Sequence, residues 1–343
     1  MGGRLGEFLS QWTESTVSPF VHDLIENGYR LEFSAPPPPI FLVTQPPRDR
    51  EKAEALGLLL GDLLDQRVLS EVPQEEEGQG VYSHVFVVKK PSGKYRLILN
   101  LRPLNKWVRY KRFRMESIFS VTSLIFPKCY MATVDLRDAY LHIPIRQECQ
   151  KFLRLAVRLG SATKHLQFRA LPFGLSSSPR IFTKVLAEAL APLRLQGVTI
   201  VPYLDDLLFI APSGHQLESD LKVALSFLRS LGWLVNEEKS QMIPSQEVMY
   251  LGYRITSVEK KIFLPQEKIL KLEQAVALLQ TNQEISIRQV MRVLGLMSAC
   301  FPAVPWARFH IRPLQGLVLK HWNGRKEGLD LPMPIPNRIK RDL

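Results

Sequence analysis

Tyr203-Leu204-Asp205-Asp206 sets two adjacent carboxylates inside an otherwise apolar run, Ile200–Ile210. Successive side chains of a strand point to opposite faces, so both acids can meet one ligand only at a turn. Two unpaired carboxylates buried there would cost several kcal/mol, so a positive partner is expected. Read alone, the pair is equally a polar hairpin tip. Further upstream, Thr133-Val134-Asp135-Leu136-Arg137-Asp138-Ala139-Tyr140 ends a β-like run on Asp135. Asp135 beside Asp205 and Asp206 would make an all-oxygen site suited to Mg²⁺ or Mn²⁺ rather than zinc. Two such ions about 3.5–4 Å apart can clamp the attacking and leaving oxygens of an in-line displacement. Asp138 has a plainer reading as a helix N-terminal acid. Lys90 and Arg96 flank a hairpin tip and could grip a phosphate chain together, or be an ordinary exposed basic turn. From Lys106 to Arg114, five basic residues alternate with three aromatics. That pattern offers phosphate contacts and stacking platforms for unpaired bases; a solvated basic loop is the alternative.

These residues need elements to hold them. VYSHVFVVKK (81–90) and KYRLILNL (94–101), joined by PSG (91–93), read as a β-hairpin. MATVDL (131–136), FLRLAV (152–157) and LQFRAL (166–171) read as strands, and TIVPYLDDLLFIA (199–211) as two strands around a tight turn. Ser178-Pro179 is a cap-then-first-turn helix start, continued by Phe182, Val185, Leu186, Ala189, Leu190 and Leu193. Leu217 to Leu231 marks a second helix, stopped by Gly232. VMYLGYRI (248–255) and KKIFLP (260–265) are short strands, and 266–320 is mostly helical. Residues 50–69 read as a helix with Ala53, Leu56, Leu60, Leu63 and Leu64 on one face. EEEGQG (75–80) reads as a turn or mobile loop, APPPP (35–39) as a stiff spacer, and the last twenty residues as loose. The order points to an α+β sheet with helices on one face and a separate helical lobe.

Composition narrows the classes. The chain has 343 residues and a net charge of +12, enough for two or three packed lobes. Residues 1–80 hold 6 basic and 14 acidic residues, a net of −8; residues 81–343 hold 39 and 19, a net of +20. So basic a region attracts a polyanion, with nucleic acid the default. No apolar stretch reaches the roughly 18 residues of a membrane helix, and the N-terminus lacks a secretory pattern. Cys129, Cys149 and Cys300 are too scattered for a zinc cluster and suit a reducing compartment. An intracellular chain, cytoplasmic or nuclear, is expected. No GxxxxGKS loop and no HExxH occur, which disfavours a P-loop NTPase and a zinc protease.

In order, VVKKPSGKYRLILNLRPLN, TVDLRDAY, LPFGLSSSP, YLDD and LGY resemble the reverse transcriptase domain of retroelements, over about residues 80–260. The flanks, FLSQWTESTVSPFVHDLIENGYRLEF (8–33) and MRVLGLMSACFPAVPWARFHIRPLQ (291–315), look most like DIRS-type tyrosine-recombinase retrotransposons. The resemblance implies an α+β right-hand polymerase fold, with an antiparallel palm sheet backed by helices. Fingers would span 46–130 with 141–178 returning to them, and palm 131–140 and 179–257. A thumb-like region would span 258–320, after an N-terminal extension and spacer (1–45) and before a loose tail (321–343). It implies RNA-directed DNA polymerase activity, two Mg²⁺ or Mn²⁺ ions, a dNTP and a primed RNA or DNA template.

Asp135, Asp205 and Asp206 match the family's metal-binding carboxylates, with Leu136 offering its carbonyl. Lys90 and Arg96 match the fingers residues on the triphosphate. Asp138 and Ala139 would contact the dNTP beside Tyr140, which matches the aromatic gate against a 2′-OH. Phe173 lies near the sugar, and Lys239 matches a lysine proposed to protonate pyrophosphate. Arg102, Arg109, Lys111, Arg112, Arg114, Pro172, Gly174, Tyr203, Leu251, Gly252 and Tyr253 would line the nucleic acid. After Gln315 only 28 residues follow, with Glu327, Asp330 and Asp342 the only acids, so no ribonuclease H activity is expected of this chain. Ribonuclease H and recombinase domains would belong to a longer element. The competing readings are a catalytically degenerate remnant that binds nucleic acid, and a metal-dependent nuclease, which leaves Lys90, Arg96 and Tyr140 without a role.

Overall fold

The computed structural model describes residues 1–90, 93–282, 284–324 and 328–342, the side chain of 342 excepted. Two compact units emerge. One gathers Met1–Glu116, Val134–Phe209 and His215–Met242; the other gathers Ser117–Thr133, Ile210–Gly214 and Ile243–Leu343.

The first unit begins with helices Leu9–Ser15 and Pro19–Asn27. They turn Trp12, Val21, Leu24 and Ile25 inward, each worth about 1.5–3 kcal/mol when fully buried. The Trp12 indole N–H donates to the Leu231 carbonyl at 2.9 Å, and Arg4 Nε donates to that of Gly232 at 3.0 Å. The N-terminal segment is therefore built into this core. The 35–39 proline run has no regular structure. Its flanks are fixed by Ser34 N–H to Trp107 O and Ile40 N–H to Gly80 O. Helix Arg50–Asp65 starts at Asp49, whose carboxylate accepts from Lys52 N–H. It buries Ala55, Leu56 and Leu60, a slightly rotated version of the face expected.

Of the two readings of 75–80, the structure has the turn: Gln74–Glu76 forms a single 3₁₀ turn. Arg154, 1% exposed, donates to the Glu76 carboxylate, to the carbonyls of Glu76 and Gln79, and to Gln167 Oε1. A buried guanidinium must be paired, so it fixes the acidic tract. Arg154 stands in the sheet ordered Val43–Thr44, Arg154–Leu159, Ala162–Phe168, Leu69–Glu71. Its middle strands begin two residues later and four residues earlier, respectively, than the sequence pattern indicates.

A second four-stranded sheet runs Val235–Ser245, Tyr130–Leu136, Asp206–Ala211, Thr199–Tyr203. The parts used below (134–136, 199–209 and 235–242) all lie in the first unit. Strand Val235–Ser245 was not foreseen, because NEEKSQ and Pro244 disguise it as a loop. Helices Ser178–Leu195 and Gly214–Ser230 carry the expected apolar faces. The first is displaced by one position: Ser177 occupies the cap site without a side-chain bond, while Ser178 Oγ donates to the Pro172 carbonyl.

In the second unit, strands Glu247–Tyr250, Tyr253–Thr256 and Lys261–Phe263 form an antiparallel sheet. Helices Gln266–Thr281, Ile287–Ser298 and Arg312–His321 follow. The last residues, expected to be loose, are docked. Pro332–Pro334 pairs antiparallel with Glu284–Ser286, and Met333 and Ile335 join Leu279, Val290 and Leu314 in one core. Two apolar residues spaced for a single strand face outweigh the surrounding prolines and charges. Among the described residues no helix is long and apolar enough to cross a membrane.

Candidate active site

The site is assembled at one end of the 199–211 hairpin. Strands Thr199–Tyr203 and Asp206–Ala211 are joined by Leu204 and Asp205 alone. Leu204 adopts φ +53, a left-handed conformation that costs a non-glycine residue about 1–2 kcal/mol. The strain sits where the two carboxylates emerge. Strand Tyr130–Leu136 is tied to this turn by Leu136 N–H donating to the Asp205 carbonyl at 2.8 Å. On its other side, Asp135 N–H donates to Ser240 Oγ at 3.0 Å, and Ser240 Oγ donates to Asn236 O. Asp135 is thus clamped between the turn and the unforeseen strand.

The three acids share one electrostatic field. Burial raises the Asp205 carboxyl, and the charge of Asp135 adds to it. Asp206 is pushed up to about 6, by burial first and then by Asp205 and Asp135. Lys239 offsets both, and its Nζ lies 3.9 Å from Asp135 Oδ1. Crowded, half-buried carboxylates that draw in an ammonium form a donor set fit for hard divalent cations. As they stand, no three His, Cys, Asp or Glu side chains among the described residues close into a metal cage. A cation would have to draw the acids together.

Downstream, Asp138 adopts φ +49 and makes no capping bond; its carboxylate pairs with Arg137 Nε at 3.5 Å. Asp138 thus stands at the start of the next turn as expected, without capping it through its side chain. Ala139–His142 forms a single 3₁₀ turn, and Ala139 and Tyr140 are buried. The Tyr140 ring packs on Phe173 (4.8 Å between centroids) and Phe182 (5.4 Å). Burial and the charges of Asp205 and Tyr203 push its phenol up to about 12, so it stays protonated at neutral pH. Phe173 remains 54% exposed. Its loop is held by Asn105, whose Nδ2 donates to Gly174 O and whose Oδ1 accepts from Ser176 N–H. A side chain at Gly174, φ +92, would press on the Leu99 carbonyl at 3.1 Å.

In hairpin Val85–Lys89/Tyr95–Leu99, Val85, Val87 and Lys89 pair with Leu99, Leu97 and Tyr95. Phe86, Val88 and Arg96 occupy the opposite face, with Lys90 in step. Lys90 and Arg96 therefore do project together, on the face where Phe86 and Val88 are exposed. Pro91 and Ser92, part of the expected turn, lie outside the described residues. Arg102 opens a short helical turn, and Arg109 N–H donates to Glu32 O. Lys111 pairs with Glu32, and with Arg112 and Arg114 it borders a cavity of about 380 Å³ that also takes in Arg180 and Lys184. In the second unit, Leu251 (φ +49) and Gly252 (φ +72) make a two-residue turn. Tyr253 departs from its expected role. It is 9% exposed and its hydroxyl donates to Ala299 O at 2.7 Å, so the side chain is used internally.

Sequence reading missed Asn105, Ser240, His142 and Trp233. Each makes a contact distant in the chain, and Asn105, within NLRPLN, and Ser240, within NEEKS, sat in stretches already singled out.

Residues 88–255 match the family described as reverse transcriptase (RNA-dependent DNA polymerase). That segment is thus similar to reverse transcriptase domains. The chain is 30% identical over 238 residues to the Gag-Pro-Pol polyprotein of Human T-cell leukemia virus 2, covering 67% of this chain and 16% of that one. It is 28% identical over 308 residues to the Gag-Pro-Pol polyprotein of Bovine leukemia virus, covering 88% and 20%. The chain thus spans a fifth or less of the length of these relatives. They are retroviral, and they do not show the DIRS-type affiliation expected from the flanks. The foamy viral protease-reverse transcriptase in complex with dsDNA superposes with a TM-score of 0.71 at 20% identity, covering 100% of this chain and 70% of that one. The same protein with an RNA/DNA hybrid gives 0.66 at 21%, covering 100% and 45%. The fold is that of a right-hand polymerase, α+β as expected.

Proposed function

We propose that this chain is an RNA-directed DNA polymerase that joins a dNTP to a primer 3′-OH on an RNA or DNA template. The observation that carries the reading is that Leu136 N–H, donating to the Asp205 carbonyl at 2.8 Å, ties the strand bearing Asp135 to the Asp205-Asp206 turn, with Asp206 pushed up to about 6 by burial first and then by the charges of Asp205 and Asp135. A structural hairpin tip has no reason to gather three mutually repelling acids. Asp135, Asp205 and Asp206, with the Leu136 carbonyl, would hold two Mg²⁺ or Mn²⁺ ions. Such ions supply charge neutralisation at the attacking and leaving oxygens.

The chain's own residues bind and orient. Lys90 and Arg96 would hold the triphosphate from the open hairpin face, Arg96 bidentately. Asp138 and Ala139 set the turn under the nucleotide. The protonated Tyr140 edge fills the space a 2′-OH would need, and Phe173 flanks it. Lys239, now against Asp135, would pass a proton to the departing pyrophosphate. Arg102, Arg109, Lys111, Arg112 and Arg114 would follow the phosphate backbone, with Pro172, Gly174 and Tyr203 nearer the bases. Leu251 and Gly252 would steady the primer, with Tyr253 supporting the turn from within. The fingers, palm and thumb boundaries and the DIRS-type origin are part of this reading, the latter resting on 8–33 and 291–315.

The test is Mg²⁺-dependent dNTP incorporation on a primed RNA template, with Asp205→Asn beside the native chain. Incorporation that disappears in the variant is expected. Retained nucleic-acid binding without incorporation by the native chain would overturn the proposal in favour of a degenerate binder.

A further inference from the structure

His142 is completely buried two residues beyond Tyr140, and both its ring nitrogens are used. Leu234 N–H donates to Nε2 at 3.1 Å, which makes Nε2 the acceptor. The proton must therefore be on Nδ1, which donates to the Ala139 carbonyl at 3.1 Å. That carbonyl belongs to the peptide whose nitrogen is Tyr140's own. The bond fixes the plane from which the Tyr140 ring departs. The ring is then held from the side: Tyr140 on Phe182, Phe182 on Trp233 (5.5 Å), and Trp233 against the His142 imidazole (5.1 Å). His142, Trp233 and Phe182 close a loop of contacts around the tyrosine, all within one compact unit. A buried imidazole must have both nitrogens paired whatever its role; what is particular here is that its donor is spent on the peptide that carries Tyr140.

We propose that His142 is a positioning residue for the nucleotide gate: its Nδ1–H bond to the Ala139 carbonyl sets the Tyr140 ring, and with it the preference for dNTP over rNTP. The inference rests on the polymerase reading above. A tilt of the 3₁₀ turn moves the ring edge relative to the sugar while leaving the three carboxylates in place.

Two isosteres separate the two bonds. His142→Asn keeps an amide donor at the Nδ1 position and loses the acceptor for Leu234. His142→Gln keeps an acceptor near Nε2 and loses the Ala139 bond. Single-nucleotide incorporation is measured for dNTP and rNTP, with melting temperatures alongside. H142N should hold the native ratio of kcat/KM values, whereas H142Q should lose about tenfold, the equivalent of roughly 1.4 kcal/mol or one buried hydrogen bond. The loss should come through a higher KM for dNTP and faster rNTP use, with kcat for dNTP little changed. Trp233→Phe, which withdraws the face against the imidazole, should shift the ratio the same way by about threefold.

An unchanged ratio in folded H142Q and W233F overturns the inference, as does equal loss in H142N and H142Q, which would assign the effect to packing. A native chain that incorporates dNTP and rNTP equally overturns it while leaving the polymerase reading standing. A native chain that incorporates neither overturns both.

Discussion

Acidification from neutral pH toward 4 should cost this protein about 3 kcal/mol of stability through His142 alone. Burial holds the imidazole down to about 4, and the positive charges of Arg4 and the amino terminus push the same way. The Leu234 N–H pointing at Nε2 adds a geometric reason, because a proton there would leave two donors facing each other. The ordinary value in an unfolded chain is near 6.5. A folded pKa below the unfolded one means that the unfolded chain takes up more protons between them. The stability is therefore complete above about pH 6.5 and is lost as pH falls toward 4. At pH 5 the loss works out at about 2 kcal/mol. Urea denaturation of the native chain and of H142Q, at several pH values between 7.5 and 4.5, isolates the contribution. Carboxylates titrate in both proteins, and only one carries the histidine. The two curves should converge by about 2 kcal/mol as the pH reaches 5. Parallel curves would refute the reasoning and mean that water or a shifted backbone accommodates the charged ring.

Three further outcomes follow, two from the charge at the site and one from the packing of the first unit's core. With no divalent cation present, Asp206→Asn should raise stability at neutral pH by about 1–2 kcal/mol, because a carboxyl held near 6 is charged there at a cost that partial exposure reduces. Adding Mg²⁺ or Mn²⁺ should raise the Tm of the native chain and not of D206N; equal shifts would place the ions elsewhere. Trp12→Ala should cost about 3–5 kcal/mol in urea unfolding, since it removes a fully buried indole and the partner of the Leu231 carbonyl. A loss under about 1 kcal/mol would mean the N-terminal helices are not part of the first unit's core.

The sequence alone marked the candidate carboxylates and most of the local elements. Asp205 and Asp206 sit between two apolar runs, and short-range sterics allow only a hairpin there. Period-2 and period-3.6 patterns located the 85–99 hairpin and the 178–195 helix. Tertiary structure decided what brings Asp135 to the turn. Strand Val235–Ser245 is polar enough to look like a loop, and its Ser240 reveals its place only when it accepts from Asp135 N–H. The same holds for the buried Arg154, the docked tail and the inward Tyr253. Local composition signals exposure for prolines and charges, and long-range pairing overrides that signal. His142 is the clearest case. Nothing in LRDAYLHIPI separates it from a surface histidine, because its partner Leu234 lies far along the chain. Its tautomer, its pKa and its hold on Tyr140 exist only once that distant N–H is in place.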